Sequence, residues 1–219
     1  MKNIDRWLLP DGVADILPPA AEPIERLRRQ LLDLYLQHGY RLVMPPELEF
    51  VESLLGGCGV DLDLQTYKVI DQLSGRMLGL RADLTPQVSR IDAHAWQQHE
   101  VQRLCYAGSV FHTKPDGLAA SRNPLIIGAE IYGYAGIASD VETIGLMIET
   151  LQVAQLDNVV LELGHIGIFR LLVNEVGLDQ DQCNELFAAV QNKASAEISR
   201  LLQQYALPQA SADMLSGLA

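Results

Sequence analysis

Two long, mostly apolar runs, Arg103 to His112 and Leu125 to Tyr134, flank a loop containing Lys114-Pro115-Asp116-Gly117. They read as the longest strands of the chain, and no regular strand–helix–strand alternation surrounds them. Long strands of this kind, with helices gathered before and after, give an α+β class. The expected architecture is a mostly antiparallel sheet flanked by helices.

The flanking segments follow the same logic. Ile24, Leu27, Leu31 and Tyr35 recur at helical spacing between Pro23 and His38, and Gly39 ends the run. Tyr40 to Val43 reads as a strand that stops at Pro45-Pro46, since proline lacks the donor a ladder needs. Gly56 to Asp63 reads as a loop. Lys68 to Asp71 and Met77 to Arg81 form a strand pair around Ser74-Gly75. Thr85-Pro86 predicts a helix start with Thr85 as N-cap. Ser139 to Glu142 has capping-box spacing before a helix that runs to about Gln155. Val159 to Leu163 reads as a further strand, and the rest is helical with breaks at Gly177-Leu178-Asp179 and Leu207-Pro208. The expected division is a core over residues 1–175, with residues 176–219 a helical insertion or the start of a further subdomain.

Composition narrows the function classes. The net charge of −12 lowers the expectation of nucleic-acid binding, because gripping phosphates requires a basic face. No apolar run approaches the roughly 20 residues of a membrane span, and the N-terminus has no signal-peptide pattern, so a cytoplasmic protein is expected. Cys58, Cys105 and Cys183 are odd in number and scattered, which argues against disulfides and structural zinc. They read as small buried or half-buried thiols. His94, His99 and His165 lack metal-ligand spacing, and neither a Gly-rich phosphate loop nor a nucleophile–base pair is recognisable. Neither metal nor cofactor is expected.

Several motifs together resemble the class II aminoacyl-tRNA synthetase core, most closely its histidyl branch. Gly39 to Glu49 matches the first class II motif, a helix and strand ending at proline that implies a dimer interface. Asp15-Ile16-Leu17-Pro18 matches the short opening segment. Leu80-Arg81-Ala82-Asp83-Leu84-Thr85 sits where that branch cradles the histidine ammonium group. Arg103 to Gly133 covers the second motif. The resemblance spans roughly residues 10 to 165, and its motifs are specific as a set. The departures concern nucleotide binding. An arginine that should hold the ATP α-phosphate is replaced by His112, a glutamate by Lys114, and a glutamine by Ile126.

The resemblance is closer to a paralogous family that keeps the fold without aminoacylation, the regulatory subunits of ATP phosphoribosyltransferase. It is carried by Leu80 to Gln87, Ile127 to Gly133, and Leu161-Glu162-Leu163-Gly164-His165. That likeness implies a non-catalytic subunit that activates a short-form catalytic subunit and conveys histidine feedback in the first step of histidine biosynthesis. It implies L-histidine as ligand, no tRNA, and self-association through the first motif. Members are usually longer, so the chain is expected to be part of a longer protein. The alternative is a histidyl-tRNA synthetase or a fragment of one.

The same resemblance marks the candidate histidine-binding residues, each with a structural alternative. Asp83 either contacts the ligand ammonium group beside the Thr85 hydroxyl or is stabilised by the adjoining helix dipole. Glu130 lies in an otherwise apolar strand, where a carboxylate needs a partner; it faces the ligand or pairs with a residue such as Arg81. Arg81 either holds one of those carboxylates or joins the site. His112 is a satisfied core residue or a site residue, and Arg122 is solvated or touches ligand.

Overall fold

The computed structural model describes residues 7–56, 60–96, 100–115, 117 and 120–218. It comprises two compact units, Met1–Val159 and Val160–Ala219. The division falls ahead of residue 175 because helix Ile166–Glu175 shares its core with the helices that follow. Phe169, Leu172 and Val173 from that helix pack with Leu186, Ile198, Leu201 and Leu215.

In the first unit the elements run α1 (Ala21–Gln37), β1 (Arg41–Leu42), β2 (Leu48–Phe50), α2 (Val51–Leu54), α3 (Val60–Gln65), β3 (Tyr67–Ile70), β4 (Met77–Leu80), α4 (Thr85–Arg90), a π-helical turn (Ile91–Trp96), β5 (Gln102–Ser109), β6 (Leu125–Tyr132) and α5 (Ile137–Val153). One sheet has the order β1-β5-β6, with β1 parallel to β5 and β5 antiparallel to β6. A second, antiparallel sheet has the order β2-β4-β3. Helices with predominantly antiparallel sheets confirm the α+β class.

The β5–β6 register assigns its residues to two different cores. Because side chains alternate along a strand, Cys105 and Ala107 join Ile127, Ala129 and Ile131 on one face, packed with Leu32 and Tyr35 of α1 and Leu146 of α5. Leu104 and Tyr106 join Ile126 and Tyr132 on the other, packed with Val43, Leu84, Val88, Ile91 and Trp96.

Several local expectations give way to tertiary contacts. Thr85 is the first residue of α4 rather than its cap. The Asp83 carboxylate instead accepts from the Leu84 amide at 2.7 Å and the Thr85 amide at 3.4 Å. Ser139 lies inside α5, which starts at Ile137 after an extended Gly136. The Ser139 hydroxyl donates to the Gly136 carbonyl at 2.7 Å, while Glu142 is held by Arg103 at 2.6 and 2.7 Å and cannot close a capping box. Part of the expected 56–63 loop is helical. The end of α3 is satisfied by Thr113, whose hydroxyl and amide donate to the Leu64 and Gln65 carbonyls. Val159 to Leu163 forms no strand, because the described residues offer it no ladder partner and β-propensity needs one.

The second unit consists of α6 (Ile166–Glu175), α7 (Gln180–Gln191), α8 (Ser195–Gln204) and α9 (Gln209–Ser216). The expected breaks fall between α6 and α7 and between α8 and α9, and a third separates α7 from α8. Asp179 and Gln182 form a reciprocal capping box at the start of α7. Among the described residues no helix is long and apolar enough to cross a membrane.

Candidate functional site

The site is built on the face of β5 and β6 turned away from α1 and α5. Tyr106 stands opposite Gly128 in the register, and Leu104 opposite Glu130. The absent side chain at Gly128 makes room for the phenol: a Cβ there would lie 2.6 Å from Tyr106 Cζ and Oη. Across that space the Tyr106 hydroxyl donates to Glu130 Oε1 at 3.1 Å and lies 3.3 Å from Thr85 Oγ1. The Tyr132 hydroxyl donates to the other oxygen, Glu130 Oε2. Both carboxylate oxygens therefore accept from phenols, which is how an otherwise apolar strand accommodates a charge. Burial, reinforced by Glu130, pushes both phenols above their ordinary pKa, so each stays a hydrogen-bond donor near neutrality. Asp83 joins the group through Thr85, whose amide donates to its carboxylate at 3.4 Å, and its charge adds to the upward shift of Tyr106.

Thus Asp83, Thr85 and Glu130 are brought together, linked by Tyr106. The three cationic or potentially cationic candidates point elsewhere. Arg81 holds neither Asp83 nor Glu130. It is buried, donating from Nε to the Ser109 carbonyl at 2.8 Å and from Nη1 to the Pro45 carbonyl at 2.7 Å. Its remaining nitrogen lies 3.8 Å from Glu47, a largely exposed carboxylate. Gly108 leaves space for that guanidinium, as a Cβ there would stand 2.6 Å from Nη2. Burial is the dominant effect on Arg81 and lowers its pKa from the usual guanidinium value. The proline carbonyls next to it cannot join a strand ladder through their own amides, so the guanidinium takes the place of ladder bonds.

His112 Nε2 lies 3.0 Å from the Ala82 carbonyl, the geometry of a ring N–H donor to backbone. Arg122 lies in the loop and is half-buried, with its guanidinium bound to backbone. Its Nε donates to the His112 carbonyl at 3.2 Å, its Nη1 to the Asp11 carbonyl at 3.2 Å, and its guanidinium lies 5.3 Å from the Tyr67 ring centre. Ile126 packs on the Leu84–Tyr106 core rather than presenting a polar group. Cys105 is fully buried, its thiol pushed up to about 11 by desolvation, and Cys183 is half-buried; Cys58 and His99 lie outside the described residues. Among the described residues no group of three or more His, Cys, Asp or Glu could hold a metal ion.

Tyr106 and Tyr132 are the members that sequence reasoning missed. The alternation of Tyr106 against Gly128, Glu130 and Tyr132 carries the signal, but only once the hairpin register is known.

The site therefore offers carboxylates and phenols, with the Arg81 and Arg122 guanidinium groups committed to backbone carbonyls. Such a surface favours a cationic amine and opposes a polyphosphate.

Comparison with known proteins agrees with this architecture. The family model described as "Histidyl-tRNA synthetase" matches residues 12–219. An ATP phosphoribosyltransferase regulatory subunit of Thioalkalivibrio sulfidiphilus is 55% identical over 92% of this chain and 51% of its own length. One of Ectopseudomonas mendocina is 52% identical over 100% of this chain and 55% of its own. The chain thus spans about half the length of these curated relatives. A solved Bacillus halodurans structure, described as an ATP phosphoribosyltransferase regulatory subunit/histidyl-tRNA synthetase, shares the fold. Its TM-score is 0.88 at 24% identity, over 99% of this chain and 56% of that one. From a match that covers nearly the whole sequence and a fold shared along its length, it follows that the chain belongs to the histidyl-tRNA synthetase family.

Proposed function

We propose that the chain is the synthetase-like portion of a non-catalytic regulatory subunit of ATP phosphoribosyltransferase. In this reading it binds L-histidine at Asp83, Thr85 and Glu130 and conveys feedback to a short-form catalytic subunit in the cytoplasm. The carrying observation is the set of committed cations. Arg81, Arg122 and His112 are all tied to backbone carbonyls, so none of these three is free to hold a triphosphate, while Asp83 and Glu130 supply carboxylates for an ammonium. The identity above 50% to regulatory subunits supports the same reading. Asp83 and Glu130 would neutralise the histidine ammonium group, and Thr85 would add a hydrogen bond, with Tyr106 orienting both Thr85 and Glu130. The exposed apolar side chains of Leu42, Met44 and Leu48 support self-association through the first-motif segment. The net charge of −12 supports a protein that does not grip tRNA.

The test is phosphoribosyl transfer to ATP by a purified short-form catalytic subunit, with and without the full-length form of this chain, followed by histidine titration. Activation that histidine reverses is the expected result. No activation, with histidine-dependent pyrophosphate exchange instead, would return the protein to the synthetases.

A further inference from the structure

We infer that Tyr132 and the Ile91–Trp96 turn transmit occupancy of the Asp83–Glu130 pocket to the Arg41–Glu49 segment. This rests on the histidine-binding reading above and adds its mechanism of regulation.

The two phenols on Glu130 are not equivalent. Tyr106 is nearly fully buried over Gly128 and has a second partner in Thr85. Tyr132 is only half-buried, and among the described residues its hydroxyl bonds to Glu130. A ligand cation approaching Glu130 competes with the donor more easily moved, which is Tyr132. The Tyr132 ring packs on the same buried cluster as Ile91 and Trp96, which begin and end the π-helical turn. The charge of Asp92, on that turn, adds to the upward shift of the Tyr132 phenol. Widened turns of this kind are rare and concentrate at functional positions.

From the turn the contact continues to the first-motif segment. The Arg41 guanidinium carbon lies 4.2 Å from the centre of the Trp96 ring. Arg41 begins β1, opposite Leu104, and Leu104 is itself opposite Glu130. Val43, two residues on, belongs to the same buried cluster, and its amide donates to the Cys105 carbonyl at 2.9 Å. Beyond it Met44 is 84% exposed. Close-packed clusters shift between discrete arrangements rather than deform smoothly. A displaced Tyr132 therefore repacks Trp96 and, through it, Arg41 and the association surface. Linkage requires the converse: association must change histidine affinity by the same factor.

The chain has two tryptophans, Trp7 and Trp96, so W7F leaves Trp96 as the sole reporter. Histidine titration of the W7F chain should shift Trp96 emission along the calorimetric binding curve. It should also change the self-association Kd by about 5- to 150-fold, the usual range of such coupling. In W7F/Y132F the emission shift should vanish at histidine concentrations that calorimetry shows to be saturating. Should Y132F fail to fold by circular dichroism, R41M carries the test, since Arg41 is exposed and lies outside the pocket. There the histidine effect on Kd should fall to less than about twofold. Bound histidine with unchanged Trp96 emission, or an undiminished Kd effect in R41M, overturns the relay while leaving the histidine reading intact. Absence of histidine binding to the W7F chain overturns both.

Discussion

Replacing Arg81 tests whether a buried cation supports the scaffold of the site rather than its ligand. The residue is 4% exposed, and its side chain makes two short bonds to carbonyls, Ser109 at 2.8 Å and Pro45 at 2.7 Å, with Pro46 at 3.5 Å. A hydrogen bond from a charged donor contributes about 1.5–3 kcal/mol, and a buried carbonyl left without one costs a similar amount. Methionine restores part of the apolar packing but none of the donors, so R81M should destabilise the chain by about 3–5 kcal/mol. Lysine keeps the charge but not the planar fork, and R81K should lose about 2 kcal/mol. The Glu47 contact, at 3.8 Å and with a carboxylate 60% exposed, should matter little: E47Q should cost under about 0.5 kcal/mol. Urea unfolding followed by circular dichroism measures all three. If R81M cost less than about 1 kcal/mol, or E47Q matched it, the backbone-bridging role assigned to Arg81 would be wrong.

Two further predictions concern the hairpin and its flanking helix. G128A places a methyl group against the Tyr106 ring, so calorimetry should show at least tenfold weaker histidine binding, while G145A, where nothing lies within 4 Å, should bind normally. Arg103 holds the Glu142 carboxyl below its ordinary value of 4.5. A depressed carboxylate stabilises the fold above its unfolded pKa and loses that contribution as pH falls through its folded pKa. With both partners about one-third exposed, E142Q should cost about 1 kcal/mol at pH 7, and the difference from wild type should shrink as pH falls below the ordinary carboxylate range; a gap independent of pH would contradict it.

The sequence made the hairpin legible because its two apolar runs are long and uninterrupted. Asp83 and Thr85 were legible through local spacing next to a helix start. What escaped was whatever depends on register or on a distant partner. Tyr106 and Tyr132 look like ordinary strand aromatics until Gly128 and Glu130 are placed opposite and beside them. Arg81 suggested a carboxylate partner because charge is visible in sequence, whereas free proline carbonyls are not. Ser139 and Glu142 had capping spacing, but Arg103, 39 residues away, outcompetes the helix terminus for Glu142. Val159 to Leu163 has the composition of a strand, yet a strand exists only where another edge receives it.

The alternation of β5 and β6 has a consequence for how such a chain can change over time. Odd and even positions of β5 answer to different selective demands: Cys105 and Ala107 to the helices behind the sheet, Leu104 and Tyr106 to the cluster in front that carries the candidate site. Groups on the pocket face can be exchanged one at a time while the supporting face is left intact, so the same scaffold can lose a chemistry and retain a recognition. A single inserted residue would do the opposite, exchanging the two faces together and sacrificing both.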